Sequence, residues 1–260
     1  MTELNSPLSE FAADWLQREP ALALCHRFAA QPVHWLASVV LVEELLQAMF
    51  ALSNQQLAQI KIAWWADEAD LAIAGAARHP LTQALFAQHA DLRALAKLVR
   101  AAQEWITFST ALDANTQRGQ FAELAAAASE LVNEGDCAAI WTEIALKRQT
   151  QSYAKPDRYG SSVLSRAALA EFQLKTSQLS DPALMGAALS AKLTAIGQTL
   201  RDALPSQALG LQSATRAYGL LHAREAAAWS KLARAPNFAG FMPGAPSISG
   251  LLQAWWIARN

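Results

Sequence analysis

The run between Pro32 and Ser53 constrains the fold more than any other stretch of the chain. Leu36, Val39, Val40, Leu46, Met49 and Phe50 recur at intervals of three and four, the spacing of one helix face. Two adjacent acids, Glu43 and Glu44, stand in the middle of it. A charge at the centre of a membrane span costs about 2.5–3.5 kcal/mol. A buried carboxylate without a partner is costly in any apolar setting. The run therefore reads as the inner helix of a bundle, with each acid meeting a partner; Lys61, Lys192 and Arg201 are the candidates. Residues 183–200 form a second apolar run, which holds Ser190, Lys192, Thr194 and Gln198 and reads the same way.

Prolines and polar clusters divide the rest into helical pieces. Pro20, Pro32 and Pro80 each stand where a helix can begin, because the first helical position needs no backbone N–H. Residues 9–18 predict a short amphipathic helix with Trp15 and Leu16 inward. Residues 55–74 predict another, with Leu57, Ile60, Trp64 and Leu71 as its inward stripe. Since one face cannot bury both rings of a Trp pair, Trp64 and Trp65 are expected to diverge. Residues 91–112 and 120–133 predict further helices. Asp136 is expected to N-cap residues 137–149, where Glu143 and Lys147 have the spacing of an ion pair on a solvated face. Asp181-Pro182 marks the start of a helix that Pro205 ends. Residues 155–160 and 236–249 read as loops, and residues 168–179, 213–233 and 250–258 as helices, the last carrying Trp255 and Trp256.

No alternating strand pattern, internal repeat or dividing linker is visible. The expectation is one all-α domain, with residues 1–19 as an N-terminal extension. Hydrophobic residues make up 53% of the 260 and charged residues 17%, which suits thick buried helices. A net charge of −1 gives no footprint for nucleic acid. Cys25 and Cys137 cannot make a disulfide framework and read as buried thiols of a reducing compartment. Residues 1–19 carry acids and no apolar segment, so they do not read as a secretory signal. A cytoplasmic location, with peripheral membrane contact at most, is expected.

Lys61-Ile-Ala-Trp-Trp-Ala-Asp-Glu-Ala-Asp70, followed by Arg78-His-Pro-Leu-Thr-Gln-Ala-Leu85, resembles the squalene/phytoene synthase superfamily. It is most similar to the divergent branch that includes the squalene/phytoene-synthase-like assembly factors of respiratory complex I. In that branch the helix reads roughly Leu-x-Trp-Trp-Arg-Asp, followed by His-Pro and Ala-Leu. Residues 37–46, with Glu44, resemble the helix of the first acidic motif. Gln198-Thr-Leu-Arg201-Asp202 stands where the family usually has Asn-x-x-Arg-Asp. Residues 251–259 resemble the C-terminal helix of the branch. The likeness runs from about residue 20 to the end. It implies an isoprenoid-synthase-like helical bundle around a central cavity.

Enzymes of that family join two prenyl diphosphates. Mg²⁺ is then needed to neutralise the leaving diphosphate, and it demands carboxylate oxygens. Two acids four apart on a helix supply these on one face. In this chain only Glu10–Asp14 and Glu130–Glu134 have that spacing, and neither lies in a stretch that resembles a metal motif. Glu43, Glu44, Asp67, Gln198, Arg201 and Asp202 are therefore the expected substrate-binding set, with no metal ligand assigned. The resemblance implies a protein with degenerate metal motifs that binds a prenyl diphosphate or lipid, or acts as a scaffold for a protein partner near a membrane. The alternative is a working Mg²⁺-dependent prenyltransferase with a rearranged site drawing on Glu43, Glu44, Asp67 and Asp202. Asp67 and Asp70 can share a helix face, His79 reads as a helix-start contact, and the five histidines show no metal spacing.

Overall fold

A computed structural model describes residues 7–50, 55–108, 114–153, 182–203 and 213–233. The protein is all-α: every regular element among these residues is a helix. In chain order they are α1 (Pro7–Arg18), α2 (Pro20–Cys25), a 3₁₀ turn (His26–Phe28), α3 (Pro32–Phe50), α4 (Gln55–Ile73), α5 (Pro80–Ala87), α6 (Leu92–Phe108), α7 (Ala114–Val132), α8 (Ala138–Tyr153), α9 (Pro182–Asp202) and α10 (Ala214–Ala233). The prolines expected to open helices at positions 20, 32, 80 and 182 all do so. The readings made for residues 155–160, 168–179, 236–249 and 250–258 lie outside the described residues.

α3 is the inner helix. Fifteen of its nineteen residues are buried, and it touches α1, α4, α5, α6, α7 and α8. Among the described helices it is the one long and apolar enough to cross a membrane, but it is spent as a core helix, with both acids in its interior. Around it α4 packs on α6, α6 on α7, α7 on α8, and α9 on α10. Trp35, Trp65, Phe121, Trp141 and Tyr218 are the largest fully buried rings. α9 and α10 approach closely because Gly197 faces α10. A Cβ there would lie 3.1 Å from the Ala223 carbonyl oxygen, and a carbonyl fixed in a helix cannot yield as a side chain can.

Two expectations about helix faces are overturned. The inward face of α4 is not Leu57, Ile60, Trp64 and Leu71. Ala58, Ile62, Trp65, Ala69 and Ala72 are buried instead, while Leu57, Ile60 and Trp64 are 54%, 60% and 46% exposed. Size of side chain misleads here: the alanines let α6 lie close, and the face that packs closely wins over the face with larger residues. Glu143 and Lys147 do not pair on a solvated face either. Both are buried on α8, and each is drawn to a different neighbour, Glu143 to Arg118 of α7 at 2.7 Å and Lys147 to Glu225 of α10.

The helix ends are closed by side chains. Asp136, expected as the N-cap of α8, stands one residue earlier: Cys137 holds that position, its carbonyl accepting the Trp141 N–H at 3.1 Å, and Asp136 accepts the Ala138 N–H at 3.3 Å. His79 Nδ1 accepts the Leu81 N–H at 3.2 Å and caps α5, the helix-start contact expected of it. Glu68 of α4 accepts the N–H groups of Arg78 and His79, both at 2.8 Å, and the Thr82 hydroxyl at 2.5 Å. Burial would raise its pKa, but these donors hold it below the usual carboxylate range. Glu134 reaches α10 from the turn after α7, accepting from Thr215 N at 2.8 Å and Ser213 Oγ at 3.1 Å.

Candidate functional site

The two central acids of α3 leave the helix in different directions, since neighbouring residues lie about 100° apart around a helix. Glu44 points towards α1 and α4. Its carboxylate accepts Trp15 Nε1 at 2.8 Å and meets the Lys61 ammonium at 2.7 Å. Lys61 is thus the expected partner for one of the acids.

Glu43 points towards α8 and α10, where the largest buried polar cluster lies. Its Oε1 accepts the Tyr218 hydroxyl at 2.8 Å, and its Oε2 meets the Arg148 guanidinium at 3.0 Å. Arg148 also binds Glu19, the N-cap residue of α2, at 2.8 Å. One residue earlier, Lys147 donates to His222 Nδ1 at 2.7 Å and is ion-paired with Glu225, which in turn accepts from Gln151 at 3.1 Å. The Lys147 bond leaves the His222 proton on Nε2, which stands 4.0 Å from Glu43 Oε1 with no hydrogen-bond partner of its own. Three carboxylates, two cations and two neutral rings thus join α2, α3, α8 and α10.

Burial sets the protonation of this cluster. It pushes the Glu43 carboxyl above its usual range against the pull of Arg148, and the Tyr218 hydroxyl well above its own. It lowers the Lys147 amine, which Glu225 partly restores. His222 is held well below the ordinary imidazole value by burial and by Lys147 and Arg148, so it is neutral. Burial alone would lower Arg148, but Glu19 and Glu43 hold it well above its ordinary value. The arrangement clamps helices together, with its cations and carboxylates already engaged.

The other residues of the expected substrate-binding set stand elsewhere. Asp67 is exposed on the outer side of α4. Gln198, Arg201 and Asp202 at the end of α9 bond to one another, Gln198 Nε2 to Asp202 Oδ1 at 2.7 Å and Arg201 Nη2 to Gln198 Oε1 at 3.1 Å, and Gln198, Arg201 and Asp202 are exposed. They are not brought to Glu43 or Glu44. Among the described residues no group of three or more His, Cys, Asp and Glu side chains is placed to hold a metal. Mg²⁺ prefers near-octahedral oxygen ligands at about 2.0–2.1 Å. Here it would have to displace Arg148 from Glu43 or Lys61 from Glu44, so these residues do not fit the ion.

Sequence reasoning missed the larger cluster. Its signal was Lys147 and His222, polar residues inside apolar helical stretches, each of which needs a partner on a neighbouring helix. A third set joins α7, α8 and α9: the Arg118 guanidinium meets Glu143, and Lys192 lies close enough to feel both. Burial, with the Arg118 charge beside it, pulls the Lys192 amine down to about 7. Comparison with known proteins adds no identity: no family model, no curated protein and no solved structure matches the chain.

Proposed function

We propose that this chain is a squalene/phytoene-synthase-like protein that does not transfer prenyl groups and works as a helical scaffold for another protein. The observation that carries the reading is the fate of Glu43 and Glu44. The resemblance places the first metal motif on their helix, and each acid is instead held by a cation and a neutral donor, Glu44 towards α1 and α4 and Glu43 towards α8 and α10. The exposed ends of Gln198, Arg201 and Asp202, bonded among themselves, support the same reading. A carboxylate held by a guanidinium or an ammonium has no incentive to exchange that partner for a hydrated Mg²⁺.

The test is a thermal shift with farnesyl diphosphate, with and without Mg²⁺. A ligand at a hundred times its dissociation constant stabilises by about 2.7 kcal/mol, which for a chain of this length is roughly 5–10 °C. No shift is expected in either condition. A Mg²⁺-dependent rise of that size would restore the prenyltransferase reading. A rise that needs no Mg²⁺ would make the chain a prenyl-binding protein.

A further inference from the structure

The outer face of α4 is built like an interface. A helix that packs by one side normally presents polar residues on the other. α4 instead exposes Ile60 and Trp64 at 60% and 46%, on the same stripe as Leu57. Trp64 is also held in place. Its ring stands edge-on to Trp65 at 4.9 Å and to His79 at 5.6 Å, and His79 in turn meets Trp65 at 4.8 Å and Phe11 of α1 at 4.7 Å. An exposed aromatic side chain fixed by its neighbours loses little conformational freedom when a partner covers it, which makes it an effective anchor.

Among the described residues, the exposed charges of α4 beyond Lys61 are negative. Asp67 and Asp70 stand exposed further along α4, and Glu10 stands exposed next to Phe11 on α1. None of the three has an ion-pair partner among the described residues. The cations nearby are largely spent: Lys61 is bound to Glu44 at 2.7 Å and Arg18 to Asp14 at 2.5 Å. Arg78 is exposed in the turn before α5.

We infer that this face is a docking surface for a basic amphipathic helix of another protein, whose apolar side covers Ile60 and Trp64 and whose Lys and Arg residues meet Asp67, Asp70 and Glu10. Electrostatics separates this occupant from the others. A second copy would bring an equally acidic face against this one, and an anionic membrane would be repelled by the same acids. The inference stands on the surface alone and holds whether or not the chain transfers prenyl groups.

The experiment measures fluorescence anisotropy of a labelled, roughly 18-residue leucine/lysine amphipathic helix, about five turns, titrated with the full chain. Its leucine/glutamate counterpart is run in parallel. The lysine peptide is expected to bind and the glutamate peptide not. Ile60→Ser and Trp64→Ser should each weaken binding about tenfold or more, as loss of an anchor does. Asp67→Asn with Asp70→Asn should weaken it about threefold at low salt, with the difference fading in 0.5 M salt as charges are screened. Ile60→Ser is the decisive variant because Ile60 contributes little to the core, and a circular-dichroism melt matching the wild type shows that the fold is intact. Equal binding of the two peptides, or binding untouched by Ile60→Ser, overturns the proposal. So does light scattering that shows a dimer abolished by Ile60→Ser, which assigns the face to a second copy. Sedimentation with phosphatidylcholine or phosphatidylserine vesicles that Ile60→Ser abolishes assigns it to a lipid surface and overturns the proposal equally.

Discussion

Glu43→Leu tests whether the central acid of α3 is kept for the fold or for a ligand. The side chain is 2% exposed and carries two partners. Its removal leaves the half-buried Arg148 with Glu19 alone at 2.8 Å. It also leaves the Tyr218 hydroxyl without its acceptor, a loss worth about 1–3 kcal/mol for a buried group. Breaking a buried ion pair costs about 3–5 kcal/mol in total. Leucine fills similar space and regains some apolar burial, but not the pairing. The expected loss is therefore about 3–5 kcal/mol, or roughly 6–20 °C in Tm for a chain of this size. Urea unfolding followed by circular dichroism reads it directly. Glu43→Leu with Arg148→Met removes both charges, and replacing a pair by apolar residues is often close to neutral, so the double variant should recover at least half of the loss. A single variant within about 0.5 kcal/mol of the wild type, or more stable than it, refutes the reasoning. It would mean that the clamp contributes nothing and that the carboxylate is retained for something it binds. A measurable gain in stability is the known cost of keeping a binding residue, the trade between activity and stability.

Two further perturbations act on other charged side chains. Glu68→Gln should cost about 1.5–3 kcal/mol, the worth of hydrogen bonds to a charged acceptor. Because the Glu68 carboxyl is held below its ordinary value, the stability it lends is present above about 4.5 and lost as pH falls through the folded value, so wild type and variant should approach one another in urea melts as pH falls below 4.5. Lys192 gives a slope of the same sign from a different cause, a charged form that burial disfavours in the folded chain. Its amine is lowered to about 7, so the folded chain binds fewer protons than the unfolded one between pH 7 and 10.5, and stability rises with pH across that window by up to about 1.4 kcal/mol per unit. Lys192→Met should stabilise at pH 6 and gain little at pH 10, and an unchanged pH slope in the variant would exclude Lys192 as its source.

The class of fold was legible because it rests on periodicity, which the helix axis enforces. Proline at 20, 32, 80 and 182, and Asp136 before α8, marked helix starts for local reasons, and local reasons survive in the folded chain. Partner choice was legible only where chemistry left few options, as with Lys61 for Glu44. Glu143 and Lys147 show the limit. Four residues apart on one helix they satisfy a local rule, but each lies nearer an opposite charge on another helix, Arg118 for one and Glu225 for the other. The face of α4 was misread for a related reason. Hydrophobicity ranks Leu57 and Ile60 above Ala58 and Ala69, while packing against α6 depends on how closely two backbones can come. The expected site joins separate stretches that would have to converge on one cavity. Asp67 and the trio at the end of α9 stand apart from Glu43 and Glu44, and only the fold could show it.

The reach of Glu134 to α10 bears on how this bundle assembles. The first turn of α10 receives its acceptor from a residue some eighty positions earlier, in the turn shaped by Asn133 and Gly135 with positive φ angles of 55° and 82°. That turn follows directly from α7 and can form early. The start of α10 cannot be completed until a long stretch of chain has been closed, and closure entropy of that kind slows folding more than it weakens the product. Amide protons at the beginning of α10 should therefore exchange with the pace of the whole bundle rather than fray like a free helix end. The last described helix is tied to the middle of the chain at the point where most helices are loosest.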